Sequence, residues 1–306
     1  MLLLALGLFA LGGCRTDAPA AEGPDTRPLT DDVGRTVTVP TDPQRIVPLA
    51  PSITELMVAA GGLDRLAART LYDDYPDAVQ SLNPISTYPL DRERLLGLGT
   101  DLVIGTDQVN DVSEGDALAG LGVPAVYLRF EGLDDVPRSL RLLGDLFGTT
   151  ETAEEAAQRF ESRLDQRQQA GPDAPRVLVL IGDDPLYTFG RASYIHDMVE
   201  HAGGQSVTTG FAGEGATLSA EWVISESPDV VMMLREPYGP DDLRAAQPAW
   251  DTLPVLAEGR VCGVDPDLVS RPGPRLADGI DAMAACLTAV GAVAAAPAGA
   301  SAGEAE

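Results

Sequence analysis

The sequence of 306 residues contains no lysine: all 21 of its basic residues are arginine, against 47 acidic residues. Without lysine the chain cannot form a Schiff base, attach pyridoxal phosphate or use a P-loop lysine. The formal net charge of −26 would repel a phosphate backbone, which argues against nucleic acid as a partner. The acidic excess by itself indicates a well-solvated surface rather than a particular activity.

Histidine is almost as scarce. His196 and His201 are the only histidines, and a spacing of five in a predicted helix places them on different faces, which argues against a shared metal ion. The sequence also has no cysteine cluster, no nucleophile elbow and no Ser-His-Asp spacing. We therefore predict a protein that is not an enzyme and has no resident metal or cofactor.

The chain has three cysteines, too few for a disulfide-rich scaffold. Cys262 falls in a predicted strand and Cys286 in a predicted helix. An oxidising compartment would permit a disulfide between them, and two buried thiols are the alternative. Sequence alone does not give the distance between their Cα atoms, so both interpretations stay open.

The sequence also lacks an apolar run long enough to span a bilayer. Residues 1–11 are apolar and suit the core of a signal peptide. Small residues then precede Cys14, as in the bacterial lipoprotein signal, although no Arg or Lys precedes the run. We predict a signal peptide over residues 1–13, lipidation of Cys14 and a flexible tether over residues 14–30. The alternative is a buried helix that begins at Met1.

The sequence does contain an internal repeat, with one copy in residues 90–104 and one in residues 218–232. Each copy has a polar cap, a short helix with a glutamate in its first turn, an aspartate-containing break and an apolar strand. Two halves built from the same unit predict two similar lobes with a cleft between them.

Short apolar β-branched runs alternate with amphipathic helices in both halves, which predicts parallel strands covered on both faces. The fold class is therefore predicted as α/β, with two doubly wound lobes joined by a single long helix. The predicted boundaries are residues 31–149 for the first lobe, 150–171 for the inter-lobe helix, 172–290 for the second lobe and 291–306 for a disordered tail.

Several segments along the chain together carry a family resemblance. They are Arg45 to Leu56, Tyr72-Asp73-Asp74-Tyr75-Pro76, Tyr187 to Ile195, Trp250 to Pro254, Ser270 to Arg275 and the two glutamate repeats. Through them the chain resembles the class III substrate-binding proteins of ABC importers, which capture vitamin B12, ferric siderophores or haem. The resemblance covers about residues 31–289 and is strongest to the vitamin B12-binding members. It implies a monomer that holds its ligand between two lobes and has an ABC permease and its ATPase as partners. It also implies a lipid anchor in the cell envelope, on the periplasmic or outer face of the cytoplasmic membrane.

Aromatic residues are concentrated after the predicted strands, where ligands bind in open α/β sheets. By motif match to the vitamin B12 binders, the resemblance places Tyr72, Tyr88, Tyr187 and Arg271 at the ligand, and Phe189 belongs to the same segment as Tyr187. Aromatic rings suit a broad, flat ligand. The alternatives are rings that cap the sheet edges and, for Arg271, a surface ion pair. The other arginines at predicted strand ends are Arg129, Arg191 and Arg235.

The glutamates of the repeat are Glu93 and Glu221. We expect their helices to turn the apolar side chains inward, which leaves one carboxylate outward on each lobe; those apolar residues are Leu95, Leu96, Val223 and Ile224. Stabilisation of the helix dipole, worth about 0.3–1 kcal/mol, would suffice to explain either glutamate alone. The resemblance implies instead that both dock on the permease.

These observations predict an extracytoplasmic binding lipoprotein that captures a corrinoid and delivers it to an ABC importer. A ferric siderophore or haem is the alternative ligand, because strand-end arginines would suit an anion. An enzyme on a related fold lacks a candidate nucleophile with a base. A structural lipoprotein would not need an aromatic cleft.

Overall fold

The structure is a computed structural model, and it describes residues 25–167 and 170–293. The predicted signal peptide, Cys14, most of the predicted tether and nearly all of the predicted tail lie outside the described residues.

The described chain begins with an antiparallel hairpin. Strand β1 (Thr26–Thr30) pairs with β2 (Thr36–Pro40), and the turn between them contains Gly34 at φ +83°, a conformation that glycine adopts readily. The tether predicted for residues 14–30 is therefore wrong for residues 26–30. Alternate side chains of this segment pack inward, and Leu29 contacts the core.

The first lobe is built on a parallel sheet in the order β3-β6-β7, beside a two-stranded parallel pair, β4-β5. In residues 66–71 the only extended pairing is β4 and an isolated bridge from Leu66 to Ile46. The elements are β3 (Ile46–Pro48), α1 (Pro51–Ala59), β4 (Arg69–Thr70), β5 (Pro84–Ile85), α2 (Arg92–Gly97), β6 (Leu102–Thr106), α3 (Glu114–Ala119), β7 (Ala125–Leu128) and α4 (Asp135–Phe147).

The inter-lobe helix α5 (Thr150–Asp165) follows α4 after a left-handed turn at Gly148. It ends earlier than the predicted boundary at residue 171. One face is buried, and its polar face pairs with both neighbouring helices. Arg141 of α4 binds Glu154 and Glu161 of α5, and Arg163 of α5 binds Asp278 in the second lobe. These contacts fix α5 against both lobes.

The second lobe has a sheet in the order β11-β9-β8-β12-β13, with β10 beside the start of β8. Strands β8, β12 and β13 are parallel, whereas β9 runs antiparallel to both of its neighbours, β8 and β11. This reversed strand differs from the predicted parallel arrangement. The elements are β8 (Arg176–Asp183), β9 (Leu186–Phe189), α6 (Ile195–His201), β10 (Gln205–Ser206), β11 (Gly215–Thr217), α7 (Ala220–Glu226), β12 (Val230–Met233), α8 (Pro240–Ala246), α9 (Pro254–Ala257), β13 (Val261–Gly263), α10 (Pro266–Val269) and α11 (Leu276–Ala289).

Cys262 on β13 and Cys286 on α11 form a disulfide, with their Cα atoms 6.0 Å apart. Of the two open interpretations, the structure supports the bridge. It ties the last strand of the sheet to the helix that covers it. The loop that it closes spans 24 residues in sequence.

Candidate ligand-binding cleft

A cavity of about 370 Å³ lies between the two lobes, within the usual size range of small-molecule sites. The first lobe contributes residues that follow β3 and the end of β6, so the cavity opens beyond the carboxyl ends of these parallel strands, as expected for an α/β sheet. The second lobe contributes β9, the start of α6 and the segment before α11. Representative lining residues are Ser52, Gln108, Val109, Ile181, Ser193 and Pro272.

Three of the predicted ligand residues line this cavity: Tyr187, Phe189 and Arg271. Tyr187 and Phe189 are two apart on β9 and therefore lie on the same face of the strand. Tyr187 is 41% exposed, although a ring of this size is usually buried in a folded core. The cleft therefore presents an aromatic face that no side chain of the described protein covers completely.

The other two predicted ligand residues lie outside the lining of the cleft. Tyr88 is 88% exposed and borders an adjoining cavity of about 190 Å³, which shares Val109 with the cleft. Tyr72 is 65% exposed and lies two residues before Asp74, which contacts Arg271. Tyr187, Phe189 and Arg271 thus line one cavity, whereas Tyr72 and Tyr88 lie outside its lining.

Arg271 is enclosed by carboxylates. Its guanidinium binds Asp74 of the first lobe, lies 2.9 Å from Asp267, and lies 3.6 Å from Glu55. The hydrogen bond from Arg271 lowers the pKa of Asp74. Arg271 therefore lines the cleft as predicted, but its charge is already compensated, as in the ion-pair alternative.

Directly beside Arg271, a buried ion pair joins the lobes. Arg275, at the start of α11, donates two hydrogen bonds to Glu55 of α1, at 2.8 and 2.6 Å. Glu55 is only 3% exposed. Burial raises the pKa of Glu55, and the hydrogen bonds and charge of Arg275 lower it by less. The guanidinium of Arg275 also lies over the ring of Tyr75, 4.4 Å from its centroid.

The sequence did not identify Glu55, Asp74 or Arg275 as members of this site. One signal was available for Glu55, since it interrupts the apolar run Ile53 to Met57 of α1, and a carboxylate in such a helix requires a buried partner. No comparable signal exists for the partner, because Arg275 is 220 residues away along the chain.

The other arginines at strand ends also have partners within the protein. Arg129 forms an ion pair with Asp107, and Arg235 lies 2.6 Å from Asp183. Arg191 donates a hydrogen bond to the carbonyl oxygen of Thr209 at 2.9 Å. The charges of Arg129 and Arg235 are therefore compensated by carboxylates. A carbonyl oxygen carries no net charge, so Arg191 keeps its positive charge, but it is not among the residues that line the cleft.

Glu93 and Glu221 are exposed at the second position of α2 and of α7. No ion pair to either carboxylate exists within residues 25–167 and 170–293. The expectation for their apolar neighbours was wrong in part. Leu95 and Val223 are fully buried as predicted, but the next residue in each helix is exposed, because one step turns a helix by about 100°. These residues are Leu96 and Ile224, at 42% and 43% exposure.

Within the described parts of the chain, no group of three or more His, Cys, Asp or Glu side chains is arranged to hold a metal ion. His196 has structural partners instead. Its ring nitrogens lie 2.8 Å from the hydroxyl of Ser206 and 2.7 Å from the carbonyl oxygen of Gly190.

Residues 46–268 match the periplasmic binding protein family. The chain belongs to this family. Its members are solute-binding components of transporters, so their activity is binding and not catalysis. The resemblance found in the sequence is thereby confirmed.

Two known relatives extend along most of this binding protein. A vitamin B12-binding protein of Pectobacterium atrosepticum is 31% identical over 245 residues, which cover 76% of this chain and 85% of the relative. An uncharacterised ABC transporter substrate-binding lipoprotein of Bacillus subtilis is 25% identical over 302 residues, which cover 92% of this chain and 94% of the relative.

Solved structures confirm the two-lobed α/β fold of this binding protein. The periplasmic vitamin B12-binding protein of Vibrio cholerae superposes with a TM-score of 0.69 at 23% identity, covering 82% of this chain and 99% of that one. A periplasmic haem-binding protein from Roseiflexus sp. RS-1 gives a TM-score of 0.68 at 24% identity, covering 81% and 99%. In residues 25–167 and 170–293, no helix combines the length and hydropathy needed to span a membrane.

Proposed function

We propose that this protein is the extracytoplasmic, lipid-anchored binding component of an ABC importer and that it captures a corrinoid of the vitamin B12 type. The observation that carries the ligand choice is the composition of the cleft. It combines a partly exposed aromatic face, Tyr187 and Phe189, with an arginine whose charge is already neutralised by carboxylates.

The charge balance favours a ligand that does not depend on a strong cationic partner. Arg271 is shared among Asp74, Asp267 and Glu55, so an anionic ligand would have to compete with three carboxylates for one guanidinium. A corrinoid offers a broad ring edged by neutral amides, which can stack on aromatic side chains and accept hydrogen bonds. The names of the vitamin B12-binding relatives agree with this choice.

The test is an absorbance titration of the purified protein with cyanocobalamin, haemin and a ferric hydroxamate. We expect saturable binding of cyanocobalamin at one site per chain, and weaker binding of the two iron chelates. Tight binding of an iron chelate together with no binding of cyanocobalamin would contradict the ligand assignment. Binding of none of the three would contradict the capture of metal chelates altogether.

Haem or a ferric siderophore is the second candidate ligand, and one feature favours it. The phenol of Tyr187 lies in the cleft with 41% of the residue exposed, and a phenolate oxygen is a suitable ligand for haem iron. The variant Tyr187→Phe separates the two candidates. It keeps the aromatic face for a corrinoid, so its cyanocobalamin affinity should remain within about threefold of wild type. It removes the phenol oxygen that would bind haem iron, so its haemin affinity should fall if haem is the ligand.

Delivery to the permease is assigned to Glu93 and Glu221. Both carboxylates are exposed and free of ion pairs within the described residues, and they occupy matching positions on the two lobes. We expect Glu93→Arg and Glu221→Arg together to abolish uptake and to leave ligand affinity intact. Glu151→Arg is the matched control, because Glu151 is also an exposed second residue of a helix. Normal uptake by the double variant would end this assignment.

The lipid anchor is assigned to Cys14. Expression of Cys14→Ser with the complete signal sequence should release the protein from the membrane fraction, and mass spectrometry of the wild-type N-terminus should detect the acyl chains. A wild-type N-terminus without lipid would contradict the anchor while leaving the binding function in place.

A further inference from the structure

Helices α2 and α7 expose the same pair of side chains on the two lobes. In each helix the second residue is an exposed glutamate, and the residue three positions later is an exposed aliphatic side chain. The pairs are Glu93 with Leu96 and Glu221 with Ile224. Residues three apart in a helix are neighbours on its surface, so each pair forms one patch that is half acidic and half apolar.

The two helices are positioned in the same way by their caps. The carboxylate of Asp91 accepts a hydrogen bond from the backbone N–H of Arg94 at 2.9 Å, and the hydroxyl of Ser219 accepts one from the N–H of Trp222 at 3.1 Å. Different cap residues thus give the same helix start, and they bring the glutamate and the aliphatic residue to equivalent places on both lobes.

A single exposed leucine or isoleucine on a protein surface needs no explanation. Here the exposure is repeated: Leu96 is 42% exposed and Ile224 is 43% exposed. Leu95 and Val223, which immediately precede them, are fully buried. Each helix therefore already contributes an aliphatic side chain to the core of its lobe. The packing of the lobes therefore does not account for either exposed residue.

We infer that Leu96 and Ile224 are docking residues, which insert into an apolar depression beside the cation that each glutamate meets on the permease. This inference rests on the proposed function. The permease surface should then have two equivalent sites, each combining a positive charge with an apolar depression. The charge complementarity is supplied by the two exposed carboxylates, which have no ion-pair partner among the described residues.

An apolar contact would make binding to the permease less sensitive to salt. Exposed ion pairs contribute little net free energy and are screened by salt, whereas burial of aliphatic surface is not screened. Two glutamates alone would give a salt-sensitive encounter. The added aliphatic contacts give a bound state that persists at higher ionic strength.

The experiment uses the purified full-length protein and the source organism's ABC permeases of this class, each reconstituted with its ATPase in lipid nanodiscs. Binding is measured by surface plasmon resonance without ligand at about 0.05 M and about 0.5 M salt. The variants are Leu96→Ser/Ile224→Ser and Glu93→Gln/Glu221→Gln. The matched control is Leu121→Ser, because Leu121 is 47% exposed and follows the end of α3 without a neighbouring glutamate.

We expect the aliphatic double variant to weaken the Kd about tenfold or more at both salt concentrations, and the control to bind like wild type. The defect of the glutamate variant should shrink as salt rises. If the aliphatic variant binds like wild type while the glutamate variant does not, the inference fails and the proposed docking stands. If wild type binds none of the permeases, the proposed delivery function fails, and the inference fails with it. Circular dichroism of each variant verifies its folding.

Discussion

The buried ion pair between the lobes can be tested by removing its cation. In Arg275→Gln, Glu55 keeps its carboxylate but loses the two charged hydrogen bonds that now reach it at 2.8 and 2.6 Å. Removal of one partner from a buried pair costs about 3–5 kcal/mol. Arg271 remains 3.6 Å from the carboxylate, so we expect the lower end, about 3 kcal/mol at pH 7.5.

The loss should depend on pH with a defined sign. The pKa of Glu55 is already raised by burial, and removal of Arg275 raises it further. The folded variant then binds a proton at a pH where the unfolded chain does not, so acidification from pH 7.5 towards about pH 5 favours the folded state. The destabilisation of Arg275→Gln relative to wild type should therefore shrink as the pH falls.

Urea unfolding followed by circular dichroism measures both effects, and a thermal melt should show a decrease in Tm of roughly 6–12 °C at pH 7.5. The matched control is Arg159→Gln, because Arg159 is exposed and lies 3.7 Å from Glu155 on the same helix; its free energy of unfolding should change by less than about 0.5 kcal/mol. A loss of under about 1 kcal/mol in Arg275→Gln, or a loss that grows on acidification, would refute the role assigned to this pair.

Three further predictions address the disulfide, the cleft and the core. Replacing Cys262 and Cys286 with serine should lower the free energy of unfolding in urea by about 3.5 kcal/mol, from the entropy of the opened loop; an unchanged midpoint would contradict it. Tyr187→Ala should weaken cyanocobalamin binding about tenfold in an absorbance titration, and wild-type affinity would remove Tyr187 from the site. Burial raises the pKa of Tyr127 to about 12, so stability should fall as the pH rises above about 10, where the unfolded chain ionises first. Tyr127→Phe should lose less stability over this range than wild type; it keeps part of the loss because burial also raises the pKa of Tyr194 and Tyr238. Equal alkaline curves for the two proteins would contradict the prediction.

The framework of the fold could be predicted from the sequence because it depends on local patterns. Apolar runs that alternate with helical patterns predicted two α/β lobes, and the helix between the halves was predicted to begin at residue 150, where α5 begins. The reversed strand β9 was not predicted, because the parallel arrangement was inferred from strands that alternate with helices, and no helix lies between β8 and β9. Direction depends on the short turn at Asp184-Pro185, which brings β9 back beside β8.

The candidate site could be predicted only where the family resemblance reached it. Tyr187 was named by motif match and Phe189 by its place in the same segment, and both line the cleft because they lie on one face of β9. The partners of Arg271 were not found, because Asp74 lies 197 residues away along the chain and periodicity carries no information about which charges meet across a cleft. Leu96 was assigned to the interior because α2 has only six residues, too few to fix the phase of a helix from sequence.

The most direct test is a crystal of the protein grown with cyanocobalamin, with diffraction data collected at the cobalt absorption edge. We predict one anomalous cobalt peak per chain, between the lobes and beside Tyr187 and Phe189. A peak on the outer surface of either lobe, or a fully formed cleft without cobalt at saturating cyanocobalamin, would contradict capture of a corrinoid between the lobes.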